Sequence, residues 1–110
     1  MKTLSESTIN LKSALKFEEI IAFNNNVFKI EIISEEHQRA GYAKLSLLEP
    51  NKKWKLIFFI EPEQMKTGFD LAQYYNNNNN NNFSHLFQDD RKTLINQIKK
   101  YSLPKSFSIF

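Results

Sequence analysis

Three stretches in the middle of the chain alternate apolar and polar residues at a two-residue period, and that alternation limits the fold more than any other feature. They are Val27-Phe28-Lys29-Ile30-Glu31-Ile32-Ile33, Tyr42-Ala43-Lys44-Leu45-Ser46-Leu47-Leu48 and Trp54-Lys55-Leu56-Ile57-Phe58-Phe59-Ile60-Glu61. Successive side chains of a strand point to opposite faces, so this period gives one buried face and one wetted face. The third stretch turns apolar on both faces, the pattern of a central strand covered twice. Charged residues 34–41 join the first two, and Glu49-Pro50-Asn51-Lys52-Lys53 supplies turn chemistry before the third. Pro62, with no N–H to give a ladder, ends it. The three make an antiparallel meander.

Helical patterns flank it. Thr3-Leu4-Ser5-Glu6 has capping-box spacing, and Leu4, Thr8, Leu11, Leu15, Glu18 and Ala22 recur at steps of four and three. The spacing predicts a helix over residues 4–23, stopped by Asn24-Asn25-Asn26, because asparagine tolerates the left-handed conformation that ends helices. A second helix follows Ser84, with Leu86, Phe87, Asp90, Leu94, Ile98 and Tyr101 as its buried stripe. Asp89 and Asp90 precede Lys99 and Lys100, the order that a helix macrodipole favours, and Pro104 forbids continuation. Residues 69–75 suit a fourth strand or a short helix, with a lean to helix. The seven asparagines at 76–82 offer no apolar area to offset their ordering entropy and read as a flexible surface insertion. The expected fold is therefore α+β in one domain over residues 1–110: an N-terminal helix, a three- or four-stranded antiparallel meander and a C-terminal helix.

Composition removes whole classes of chemistry. Without cysteine there is no disulfide, thiolate zinc site or cysteine nucleophile, and an intracellular setting, cytoplasmic or nuclear, is the easier one. No apolar run approaches the roughly 20 residues that span a bilayer, and an early acid argues against a secretory signal. His37 and His85 lack metal-ligand spacing, and Gly41 and Gly68 are too few for a phosphate-cradling loop. The neighbouring acids Glu35-Glu36 and Asp89-Asp90 point apart and make poor acid–base pairs. The chain is thus expected to be no enzyme, with no cofactor, metal, membrane or small-molecule substrate.

Two surfaces remain as candidates. About 20 residues of helix reach roughly 30 Å, so its first turns would project beyond the sheet. Leu4, Leu11 and Leu15 there would seek a helix from another chain, as in a coiled coil, helped by the apolar tail residues Phe107, Ile109 and Phe110. The alternative is nucleic acid at Lys52, Lys53, Trp54 and Lys55, since cations hold phosphates and rings stack on bases. Against it, the formal charge of +3 collects in the last helix and tail, and Phe58 and Phe59 suit a core. A protein partner in a hetero-oligomer is the preferred expectation.

The order helix, three-strand meander, C-terminal helix resembles RWD-type domains, and more specifically the globular heads of the Spc-type kinetochore subunits. The resemblance is carried by Ala14-Leu15-Lys16-Phe17-Glu18-Glu19-Ile20-Ile21-Ala22-Phe23, by residues 27–33, 44–48 and 54–62, and by Phe83-Ser84-His85-Leu86-Phe87-Gln88-Asp89-Asp90-Arg91-Lys92, which is similar to the helix closing that family's domain. It implies a non-catalytic paired head that docks onto other kinetochore proteins.

Overall fold

The computed structural model describes residues 1–11, 14–35, 41–66 and 87–102. Five strands, β1 (Lys2–Leu11), β2 (Ala14–Phe23), β3 (Asn26–Glu35), β4 (Tyr42–Leu48) and β5 (Trp54–Ile60), lie in the order β1-β2-β3-β4-β5, each antiparallel to the next. A 3-10 turn at Pro62–Gln64 follows β5, and helix α1 (Gln88–Tyr101) packs on one face, against β3 and β4.

The three alternating stretches are β3, β4 and β5, but the expected N-terminal helix is absent and the sheet has five strands. Residues 2–11 and 14–23 form a hairpin that extends the meander, so neither a coiled-coil stub nor an RWD-like arrangement describes this end of the chain. Along β2, Leu15, Phe17, Glu19 and Ile21 are buried while Lys16, Glu18 and Ile20 between them are only half covered, a strand period and not a helical one. Asn24 and Asn25 do adopt left-handed conformations, with φ of 50° and 64°, but as the two centre residues of the β2–β3 hairpin. Positive φ at both is the type I′ geometry, whose twist matches that of the strands it joins.

The core lies between the sheet and α1. Phe28, Ile30 and Ile32 of β3, Ala43 and Leu45 of β4 and Ile60 of β5 meet Phe87, Leu94 and Ile98. Phe17 stacks on Phe87 with ring centroids 5.4 Å apart, and Phe28 meets Tyr101 edge-on at 5.9 Å. Tyr101, expected in the buried stripe, is nearly half exposed. Asp90 is buried in the first turn of α1, where it accepts the Lys66 backbone N–H at 3.1 Å and ties the helix to the segment leaving β5. At the entry to β4, a Cβ on Gly41 would stand 2.1 Å from the Ile33 carbonyl oxygen, so this crossing requires glycine.

β5 is an edge strand, not the doubly covered centre that its composition suggested. Its register against β4 shifts between Leu45 and Ser46, and the bulge lets Ile57 and Phe58 both pack toward the core. The apolar residues left over face away from α1 and stay exposed. The residues at 69–75 and the asparagines at 76–82 lie outside the described residues.

Candidate functional site

Each face of the sheet carries a pair of glutamates directly opposite one another on neighbouring strands, an arrangement that repels unless a cation intervenes. On the helix side the pair is Glu6 and Glu19; on the outer side it is Glu18 and Glu31. The two are resolved differently.

Glu19 is fully buried, and Arg91 on α1 reaches it with two hydrogen bonds, Nε to Oε1 at 2.5 Å and Nη2 to Oε2 at 3.0 Å. The Thr3 hydroxyl donates to Oε2 at 2.6 Å. Burial alone would raise the Glu19 pKa, but the hydrogen bonds from Arg91 and Thr3 and the Arg91 charge together hold it below the ordinary carboxylate value. Both carboxylate oxygens are engaged, and the group fastens β1 and β2 to the helix. It is a clamp, not an acid–base centre.

On the outer face Glu31 sits at the middle of a triangle of lysines. Its oxygens lie 3.6 Å from Lys16, 3.6 Å from Lys29 and 3.8 Å from Lys44, one lysine from each of three adjacent strands. Lys16 also stands 3.6 Å from Glu18 and so relieves the repulsion between the two acids. Around this centre the face is aromatic. Lys29 lies over the Trp54 ring at 4.6 Å, Tyr42 stacks on Phe59 at 5.7 Å, and Lys44 lies 5.8 Å from the Tyr42 ring centre. Trp54 (37%), Leu56 (54%) and Phe59 (39%) keep large fractions of their surfaces in solvent, and no described element lies across them.

Among the described residues the sheet has two unpaired edges of unlike character, β1 and β5. Along β5 the bulge, Lys53, Lys55 and Pro62 discourage another strand from pairing. Along β1 the irregularity is confined to the stretch between Thr3 and Ser5, leaving Ser5 to Leu11 in regular register with β2 and only Glu6 charged. Residues 1–9 are exposed, Leu4 and Ile9 about half so. A shallow cavity of about 200 Å³ between α1 and β5 is lined by Leu45, Ile57, Phe58, Gln97, Lys100 and Tyr101; it contains no carboxylate or histidine for proton transfer.

The residues singled out from sequence are scattered over these features. Leu4 is exposed on β1, Leu15 is wholly buried in the core, and Leu11 belongs to β1 by its backbone while its side chain lies outside the described residues. Phe107, Ile109 and Phe110 also lie outside them, as do His37 and His85. Lys52 and Lys53 occupy the β4–β5 turn, where Lys52 has a φ of 66°, and Trp54 opens β5 on the outer face. Lys55, pairing with Leu47, points to the opposite side from Trp54, so the basic cluster is divided between two faces. Lys29, Lys44, Tyr42 and Phe59 complete the outer surface; their period-two alternation signals a face, but not that no described element covers it.

Among the described residues no group of acidic or histidine side chains could hold a metal ion, and no helix is long and apolar enough to cross a membrane. No family model, curated protein or solved structure matches the chain.

Proposed function

We propose that the protein is a non-catalytic interaction module that takes a partner protein along the free edge of β1, as one subunit of a larger complex. The observation supporting this reading is that edge itself: a long strand that, among the described residues, pairs on one side only, exposed over residues 1–9 and with Glu6 the one charge between Ser5 and Leu11. Such a strand offers a row of unpaired backbone donors and acceptors to an incoming strand, with Leu4 and Ile9 as apolar contacts beside it. The opposite edge is guarded, which gives the association a direction. With strands where the kinetochore resemblance needs a helix, the partner is characterised by its mode of contact alone.

Light scattering on the purified complex, followed by hydrogen exchange, tests this. The expected result is slowed exchange of the β1 amides in the complex and loss of the complex in a Leu4→Lys/Ile9→Lys variant that keeps the parent melting temperature. A complex that forms undiminished in that variant, or a protein that is monomeric and partnerless in its native extract, would overturn the reading.

A further inference from the structure

We infer that the outer face of the sheet, which no described element covers, is a second binding site, for single-stranded nucleic acid, separate from the β1 edge. β5 departs from an ordinary edge strand in being apolar on both sides while only one side meets the helix. Its outward residues are Trp54, Leu56 and Phe59, and Tyr42 of β4 stacks on the last of them. Five residues of strand separate the Trp54 and Phe59 rings by about 15 Å, enough for a few nucleotides of an extended strand to lie between two stacking points. Nucleic-acid bases stack on exposed rings whatever their sequence, because each has a π-face.

Charge complementarity selects this occupant over an apolar one. The face carries Lys16, Lys29 and Lys44 against Glu18 and Glu31, and the turn at its end adds Lys52 and Lys53 against Glu49. Glu31 does not cancel the lysines so much as hold them: at 3.6–3.8 Å the ammoniums are ion-paired with its carboxylate rather than hydrogen-bonded to it, so N–H groups remain for a phosphate. Lys29 lies over one face of the Trp54 ring and Tyr42 stacks on one face of Phe59, yet both rings keep more than a third of their surface in solvent, at 37% and 39%. Sugar–phosphate on the lysines and bases on the rings is the division of labour that a single strand permits and a duplex, with its bases stacked inside, does not.

Trp54 is the only tryptophan, so its fluorescence reports this face and nothing else. Titration of the full chain with oligothymidylate and oligouridylate at low salt should quench it saturably. Two or three neutralised phosphates give a slope of log affinity against log salt between about −1.4 and −2.1. Phe59→Ala should weaken binding about five- to hundredfold, and Lys44→Gln should flatten the slope by about 0.7, with thermal unfolding of both variants close to the parent. A Leu4→Gln/Ile9→Gln variant, which removes the apolar contacts of the edge without adding charge opposite Lys16, should bind the oligonucleotides as the parent does, which separates this site from the edge. Absence of quenching at low salt, affinity indifferent to Phe59→Ala, or displacement by heparin at the same charge concentration as by oligonucleotide would overturn the inference.

Discussion

Glu19 puts a carboxylate into a row where Leu15, Phe17 and Ile21 are otherwise apolar, and its cost is offset by groups far away in sequence. Arg91 lies 72 residues on, and Thr3 sixteen residues back. Replacing Arg91 with alanine leaves a buried charge with one hydroxyl for company. Because the Arg91 side chain is itself 39% exposed, we expect a loss of about 2–3 kcal/mol in denaturant unfolding, below the 3–5 typical of a wholly buried pair. Exchanging both partners for apolar residues, Glu19→Leu with Arg91→Met, should recover most of it. The pH dependence has a definite sign. The folded pKa of Glu19 lies below its unfolded value, so the clamp contributes fully above about pH 4.3 and is lost as pH falls through the folded pKa. Stability should therefore fall less steeply in acid for Glu19→Gln than for the parent, and parallel curves would exclude Glu19 as the source. This residue also explains a failure of sequence reading. A glutamate at the third inward position breaks the apolar alternation of β2, and the helical spacing of Leu4, Leu11 and Leu15 then looks the better fit; the arginine that makes the glutamate tolerable cannot be located by local pattern.

The elements that sequence did disclose are those whose signals are local. β4 is found residue for residue, since alternation and flanking turn residues suffice. Asparagine tolerates left-handed backbone, which Asn24 and Asn25 adopt while Asn26 begins β3, but that conformation ends helices and closes type I′ hairpins alike, and only the pairing partner decides. Asn-Gly is the preferred pair for such a hairpin, so Asn25→Gly should stabilise the protein, by about 0.5–1 kcal/mol, without altering the register. A helix capped there would gain too; unchanged cross-strand contacts between Ala22 and Val27 in the variant distinguish the two. The β3–β4 crossing responds oppositely. Gly41→Ala forces a methyl against the Ile33 carbonyl, and backbone must move to admit it, costing about 1–3 kcal/mol or more in thermal unfolding. A neutral Gly41→Ala would mean that the two strands approach less closely than 2.1 Å from Cβ to oxygen implies. For β5, apolar character on both faces was legible while its cause was not, because period alone does not distinguish a covered face from a bare one.

Across the whole molecule, burial is deepest in the middle of the sheet and falls toward both edges. β3 and β4 lie beneath α1, β2 contributes Leu15, Phe17 and Ile21 to the same core, and β1 contributes no buried side chain among residues 1–9. What secures β1 is its ladder to β2 and the Thr3–Glu19 hydrogen bond. Backbone hydrogen bonds at an edge are individually worth little net of water, so β1 should open without the rest of the fold. Native-state hydrogen exchange is the measurement. Amides of β3 and the middle of α1 should exchange only through global unfolding, with a steep denaturant dependence. Those of β1 should exchange through a local opening of lower free energy that denaturant barely affects. Thr3→Val should speed β1 exchange further and leave β3 unchanged, because the hydroxyl links β1 to the clamp but not to the core. Equal protection in β1 and β3 would mean that the first strand is part of the cooperative unit. A weakly held edge is also what strand addition needs: an incoming strand can stabilise β1 by completing its second row of hydrogen bonds, and the same amides that open first in the free protein are those that should slow most in a complex.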